Sequence, residues 1–344
     1  MRLLRKEIQK LKGKTMIKEK FKNKLIACMG ASNTQGGEWV YSMRSFIKSQ
    51  EDKCYFLTRG IAGNRASLAK YMIDEDVFCD KPDYVIISFG ANDLGIWLYD
   101  EEAGETPEIL AEREKRNKDH LESIKEMFDR AKARGITPIY STAAAMNERL
   151  VEEEDIKTVG DNEEKAKLIK QNFYKQNNFK RINKGLRVLA DMMKEFCAEN
   201  GYDFIDVLEG TRQDMLVKDG MYQEDGIHMT EKGHASTAKV ILKFLGYDVP
   251  DDLPSERYAD LDELQNIERQ YCTSQFFLRP TYVPFGTPDV DRESFREREE
   301  KVSDIYLHPE GKAAYAVNYA KYAYGNLRRT RELREIIKEK AVKV

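Results

Sequence analysis

The sequence predicts an α/β protein built on a five-stranded parallel sheet, and three observations carry that prediction. Five short apolar runs recur along the chain. Helix-length amphipathic stretches separate them, as parallel strands require, because each return to the same edge of a sheet needs a long crossover. Turn residues fall at the returns: Pro82-Asp83 before one run, and Gly135-Ile136-Thr137-Pro138 at another.

The first strand is read at Lys24–Met29, where Leu25-Ile26-Ala27-Cys28-Met29 is continuously apolar, and a helix follows at Glu38–Ser49. The second strand, Cys54–Thr58, leads to a helix at Arg65–Ile73. The third, Tyr84–Phe89, precedes a long charged helix at Pro107–Arg134, and His120 within it is expected to be solvated. The fourth and fifth strands, Thr137–Ser141 and Asp203–Val207, flank a helix at Glu164–Glu199. A last helix, Glu231–Leu245, closes this unit. Asn147–Asp161 is too acidic for a strand and reads as an insertion beside the carboxyl edge of the sheet.

Domain organisation follows from changes in character. Residues 1–23 form a basic leader: residues 1–24 hold ten Lys and Arg against Glu7 and Glu19, a net charge of +8, whereas the rest of the chain carries −11. The leader lacks the apolar core of a secretory signal, and its helical spacing of Leu3, Leu4, Ile8 and Leu11 is weaker support for a membrane-surface helix than for a solvated tail. Met16 is an alternative start. Residues 24–249 form the α/β unit and 250–344 a mainly helical extension, with a linker at Asp251–Ser255, an irregular loop at Arg279–Gly286 and a helix from Pro309 to Lys340. Tyr271, Phe276, Phe277, Tyr282 and Phe285 crowd this extension, so it should pack on the α/β unit near the site, and the same surface offers a route to a homo-oligomer.

Composition narrows the function. With 41% hydrophobic and 34% charged residues, the chain reads as soluble, and no apolar run is long enough for stable membrane insertion. A net charge of −3 and a pI near 6.0 argue against a nucleic-acid partner. The five cysteines are scattered, with no CxxC, which suits reduced thiols and a cytoplasmic location. No HExxH or His-rich pattern marks a metal site, and no GxGxxG or P-loop lysine marks a cofactor, so neither metal nor cofactor is expected.

Chemistry concentrates in four segments, three of them at strand ends. Ser32 lies in Gly30-Ala31-Ser32-Asn33-Thr34, directly after the first strand, where a turn into a helix exposes the hydroxyl. Gly63 lies in Thr58-Arg59-Gly60-Ile61-Ala62-Gly63-Asn64, after the second. Asn92 lies in Gly90-Ala91-Asn92-Asp93, after the third, and its amide can donate to a developing oxyanion. Asp225-Gly226-Ile227-His228 spaces a carboxylate and an imidazole three residues apart, so that the Asp can fix the ring and leave Nε2 to deprotonate Ser32. His234 reads as structural. Asp304-Ile305-Tyr306-Leu307-His308 echoes the last pattern one residue longer; His228 is preferred because the closing helix follows it.

These segments, in this order, resemble the blocks of the SGNH (GDSL-type) hydrolases over about Leu25 to Tyr247. The resemblance implies a flavodoxin-like three-layer α/β/α sandwich and a metal-free serine esterase or acylhydrolase. It implies Ser32, Asp225 and His228 as catalytic residues, and an oxyanion hole from Ser32, Gly63 and Asn92. One departure is Ala31, where the family carries Asp beside the nucleophile; altered loop support is expected. The substrate would be a small acyl ester of a small-molecule or carbohydrate alcohol. An acyltransferase with the same residues, and a non-catalytic binding or assembly protein on the same scaffold, are the alternatives.

Overall fold

The computed structural model describes residues 17–151, 163–278 and 329–342, with Asp304, Leu307, His308, Glu310 and Gly311. In chain order, β1 is Leu25–Gly30, α1 Ser32–Gln35, α2 Glu38–Ser49 and β2 Tyr55–Gly60. Two single turns follow, α3 (Ala66–Ala69) and α4 (Ile73–Asp76), then β3 (Tyr84–Phe89), α5 (Ala91–Leu94), α6 (Pro107–Lys132) and β4 (Thr137–Thr142). The remainder is α7 (Glu163–Asn200), β5 (Asp203–Ile205), α8 (Val207–Val217), α9 (Glu231–Phe244), α10 (Ala259–Leu278) and α11 over residues 329–341.

All five strands pair in parallel, in the order β2-β1-β3-β4-β5, which is the flavodoxin-like order. Alternation along β1 shows how the layers form: Ile26 and Cys28 join one core cluster with Trp39 and Met43 of α2 and Ile241 and Leu242 of α9. Ala27 and Met29 join the opposite cluster with Ile124 and Phe128 of α6 and Met193 and Cys197 of α7. Both faces of the sheet are therefore covered, which is why its strands read as unbroken apolar runs. Sequence and structure agree on the three-layer α/β/α architecture.

Three readings change. The stretch expected to be one helix over Arg65–Ile73 is two separate turns. The fifth strand ends at Ile205, not Val207, because the Asp206 carboxylate accepts the Glu209 N–H at 3.0 Å and caps a helix there. His120 is not solvated: it is 1% exposed and shares the inward stripe of α6 with Ser123, Ile124, Met127, Phe128 and Ala131. The leader helix at Leu3–Leu11 and the loop Arg279–Gly286 lie outside the described residues, as do residues 152–162 of the acidic insertion and most of 309–328 in the last helix.

The extension covers the open edge of β2. Among the described residues that edge has no neighbouring strand, so its polar groups need other partners. Glu268 of α10 accepts the Thr58 N–H at 2.9 Å and binds Arg44 of α2 through both oxygens, at 2.7 and 2.9 Å. Arg44 also donates to the Phe56 carbonyl at 2.5 Å, and Arg59 donates to the Thr58 carbonyl at 2.7 Å. Leu264, Tyr271 and Cys272 of α10 and Leu333, Ile337 and Ala341 of α11 enter the α6–α7 core cluster. Arg59 pairs in turn with Asp80, which also receives Arg334 of α11 at 3.1 Å. Among the aromatics expected to anchor the extension, Tyr271 is buried; the side chains of Phe276, Phe277, Tyr282 and Phe285 are outside the described residues.

Arg44 and Glu268 are both buried, so deleting one strands the other's charge. Glu268→Ala should lower the unfolding free energy in a denaturant titration by about 3–5 kcal/mol. A loss below about 1 kcal/mol, the scale of an exposed pair, would show that this edge does not need its cover.

Candidate active site

Strand order places the site. Sequence-adjacent β2 and β3 lie on opposite sides of β1, so a crevice opens beyond the carboxyl ends of β1 and β3. Ser32 leaves β1 into that crevice, and Asn92 leaves β3 into it. The turn carrying Ser32 lies hard against the end of β2: a Cβ on Gly60 would come within 2.2 Å of the Gln35 nitrogen, so glycine is required there.

Asp225 and His228 are presented by a tight hairpin-like turn. Tyr222 and Met229 form an antiparallel bridge, and the Gln223 N–H donates to the His228 carbonyl at 2.8 Å. Gly226 sits at φ +73°, and a side chain there would meet the Phe179 ring at 2.5 Å. Inside the turn, Asp225 Oδ1 accepts the N–H groups of Ile227 and His228, both at 2.8 Å. Its Oδ2 lies 2.5 Å from His228 Nδ1. His228 Nε2 lies 2.9 Å from Ser32 Oγ. Three residues from two distant parts of the chain thus form one continuous hydrogen-bonded line.

Burial alone would raise the Asp225 carboxyl, but the His228 ring and the two backbone N–H donors outweigh it, and the net shift is downward. The loop of Gly63 turns at φ +69°, and it is the next residue, Asn64, that lines the cavity beside Ser32. Asn92 donates one amide N–H to the Asn64 carbonyl at 2.9 Å and lines the same cavity. His308 is exposed, and the imidazole beside Ser32 is that of His228.

Several supporting residues escaped the sequence reading. Asn33 Nδ2 donates to the Ile227 carbonyl at 3.3 Å, and its Oδ1 accepts the Met229 N–H at 3.2 Å. It therefore grips the chain on both sides of His228 from the position next to Ser32. Gln35 accepts the Ala62 N–H at 2.6 Å and ties the Ser32 turn to the Gly63 loop. Asp93 accepts the Ala66 N–H at 2.8 Å and the Gly90 N–H at 3.1 Å, and its Oδ1 lies 2.9 Å from Nδ1 of buried His120. His120 Nε2 continues to Tyr140 Oη at 3.0 Å. The signal for His120 was present in its helical spacing; for Asn33 there was none beyond adjacency to Ser32.

The model of the GDSL-like lipase/acylhydrolase family matches residues 28–236. The chain belongs to this family. It is accordingly a hydrolase of carboxylic esters. No curated protein sequence matches the chain. Among solved structures it is similar to a gut microbial diltiazem-metabolizing enzyme, with 20% identity and a TM-score of 0.51 over 66% of this chain and 48% of that one. The chain thus spans about half the length of that enzyme. It is also similar to an acetylxylan esterase from Geobacillus stearothermophilus (16% identity, TM-score 0.47, 66% and 96% coverage). A GDSL-like lipase from Bacteroides thetaiotaomicron aligns at 20% identity and a TM-score of 0.41 over 65% and 88% of the two chains. At these identities the likeness concerns the fold. Among the described residues, no helix is long and apolar enough to cross a membrane.

The downward shift of Asp225 has a testable consequence. A carbon-detected NMR titration should place its carboxyl below the ordinary Asp value of about 3.9, and His228→Ala should move it up. A group lowered in this way stabilises the fold above its unfolded pKa and loses that contribution as pH falls through its folded pKa. An Asp225 carboxyl titrating at or above the ordinary value would contradict the hydrogen-bonded geometry.

Proposed function

We propose that the protein is a serine esterase that cleaves a short acyl ester through an acyl-enzyme, with Ser32 as nucleophile, His228 as general base and Asp225 orienting the ring. The single observation that supports this most strongly is the 2.9 Å approach of His228 Nε2 to Ser32 Oγ while Nδ1 faces Asp225. In the reaction, His228 Nε2 takes the Ser32 proton as Oγ attacks the ester carbonyl. In this reading the tetrahedral oxyanion receives N–H groups from Ser32 and from the second amide hydrogen of Asn92, both on the cavity wall, and Gly63, one residue before the Asn64 that lines it, is assigned as the third donor. His228 then returns the proton to the leaving alcohol. Water, deprotonated by the same ring, attacks the acyl-Ser32 ester; the ring passes that proton to the departing Ser32 Oγ as the acyl–oxygen bond breaks and the acid leaves.

The cavity supports a short acyl group. Its volume is about 80 Å³, and apolar Trp39, Val207, Met229 and Ile241 form much of its lining. At roughly 10–15 Å³ for each water-sized occupant, that is room for about five to eight such groups, enough for a short acyl chain but not a long one. The alcohol side of the ester lies toward solvent in this reading, which suits an acyl group carried on a carbohydrate or another bulky alcohol. The catalytic unit is assigned to residues 24–249, and the extension 250–344 to the role of a cover for the β2 edge.

Ser32→Ala and His228→Ala should each lower kcat on phenyl acetate on the order of 10⁴-fold or more with little change in thermal stability, because nucleophile and base act as a unit. Asn92→Ala should lower kcat by about 10²–10³-fold, as loss of an oxyanion donor does. Wild-type rates in Ser32→Ala would overturn the reading.

Asn33 supplies a separate test of positioning. Asn33→Ala removes both grips on the His228 turn without touching the reacting atoms, and should lower kcat by about 10–10²-fold while leaving KM within about threefold. A change confined to KM would make Asn33 a substrate-binding residue instead.

A further inference from the structure

His234 is 6% exposed and lines the same cavity as Ser32 and Asn92. Its position on α9 places Thr237 and Ile241, which share the lining, at three and seven residues further along the helix. Its Nδ1 is buried and has no hydrogen-bond partner among the described residues. Neighbouring hydroxyls of the cavity are already engaged: Ser88 Oγ donates to the Thr142 carbonyl at 3.3 Å, Ser141 Oγ to the same carbonyl at 3.2 Å, and Thr237 Oγ1 to the Gly233 carbonyl at 3.5 Å. His234 Nδ1 and Asn64 Nδ2 are thus the two buried side-chain atoms on residues of this lining without a partner among the described residues; Asn64 lies on the oxyanion side, beside Asn92, whereas His234 sits with the apolar residues Met229 and Ile241. Buried polar atoms are rarely left in that condition unless something else binds them.

From this geometry we infer that His234 is a specificity-determining residue that hydrogen-bonds a hydroxyl on a short acyl chain held by Ser32, so that the preferred substrates are esters of small hydroxy acids. This deepens, and rests on, the esterase reading above. The choice of a hydroxyl follows from tautomerism. A neutral imidazole nitrogen either donates or accepts, and a hydroxyl can answer both, whereas a carbonyl or ether can only accept. The ring is neutral at ordinary pH, since burial and the charges of His228 and Arg269 push it down to about 4. The volume argument agrees: about 80 Å³ admits a glycolyl group, in which the hydroxyl is one carbon from the carbonyl.

Phenyl glycolate and phenyl propionate test the proposal, because their acyl groups are nearly the same size and differ in a terminal hydroxyl or methyl. After division by each ester's rate of hydrolysis in hydroxide, wild-type kcat/KM should favour the glycolate by about tenfold or more. His234→Leu should bring the ratio to about one, kcat/KM falling about tenfold further on the glycolate than on the propionate. His234→Gln, which restores a donor and an acceptor, should keep most of the preference, and it replaces the leucine variant if that variant fails to fold. A wild-type ratio near or below one would overturn the proposal. So would a parallel fall on both esters in His234→Leu and His234→Gln, the mark of a packing role. Hydrolysis of neither ester by wild type, with phenyl acetate also inert, would overturn the esterase reading and the proposal with it.

Discussion

Parallel pairing of five strands sends every carboxyl end to one edge of the sheet, and the geometry of the candidate site depends on that constraint. Ser32 follows β1 and Asn92 follows β3 because those strands end side by side, with Gly30 of β1 paired to Ser88 of β3. The Asp225–His228 turn comes from a loop before α9, and the helix brings it to the same edge by packing on α2, the helix that follows Ser32. Two segments 196 residues apart in sequence thereby meet at hydrogen-bond distance. Neither half of the proposed catalytic line has a reason to be where it is without the sheet order.

A parallel sheet also has open edges, and the extension is organised around one of them. Glu268 takes the role that a sixth strand would otherwise fill, accepting the Thr58 N–H and holding Arg44 against the Phe56 carbonyl. The same helix reaches the turn that carries Ser32: Gln265 and Arg269 both donate to the Gly36 carbonyl, at 3.2 and 2.7 Å, and Arg269 pairs with Glu38. Covering the edge and buttressing the Ser32 turn are therefore one packing event. Residues far from the chemistry in sequence can tune it through this contact.

Much of this was legible in the sequence, for identifiable reasons. Buried parallel strands announce themselves as continuous apolar runs, and the five found here match those runs to within a residue or two at their ends. That the candidate residues would meet was legible because of local spacing, as in Asp225 and His228, or a fixed place after a strand, as in Ser32 and Asn92. What escaped was tertiary. Val207 and Leu208 continue the apolar run of β5, and only the capping carboxylate of Asp206 reveals that a helix has begun. His120 sits in a stretch so rich in charge that its inward stripe was overlooked. Asn33 and Glu268 act across 194 and 210 residues, on backbone groups whose positions no local pattern encodes.

The central claim is that Ser32, activated by His228, is the nucleophile, and covalent trapping reads it most directly. Incubation with phenylmethanesulfonyl fluoride followed by intact-mass and peptide mass spectrometry should show one sulfonyl adduct per chain, on Ser32. The rate of labelling should collapse in His228→Ala, because an unassisted serine hydroxyl is a weak nucleophile. An adduct on a different serine, or labelling of Ser32 at an undiminished rate without His228, would contradict the account.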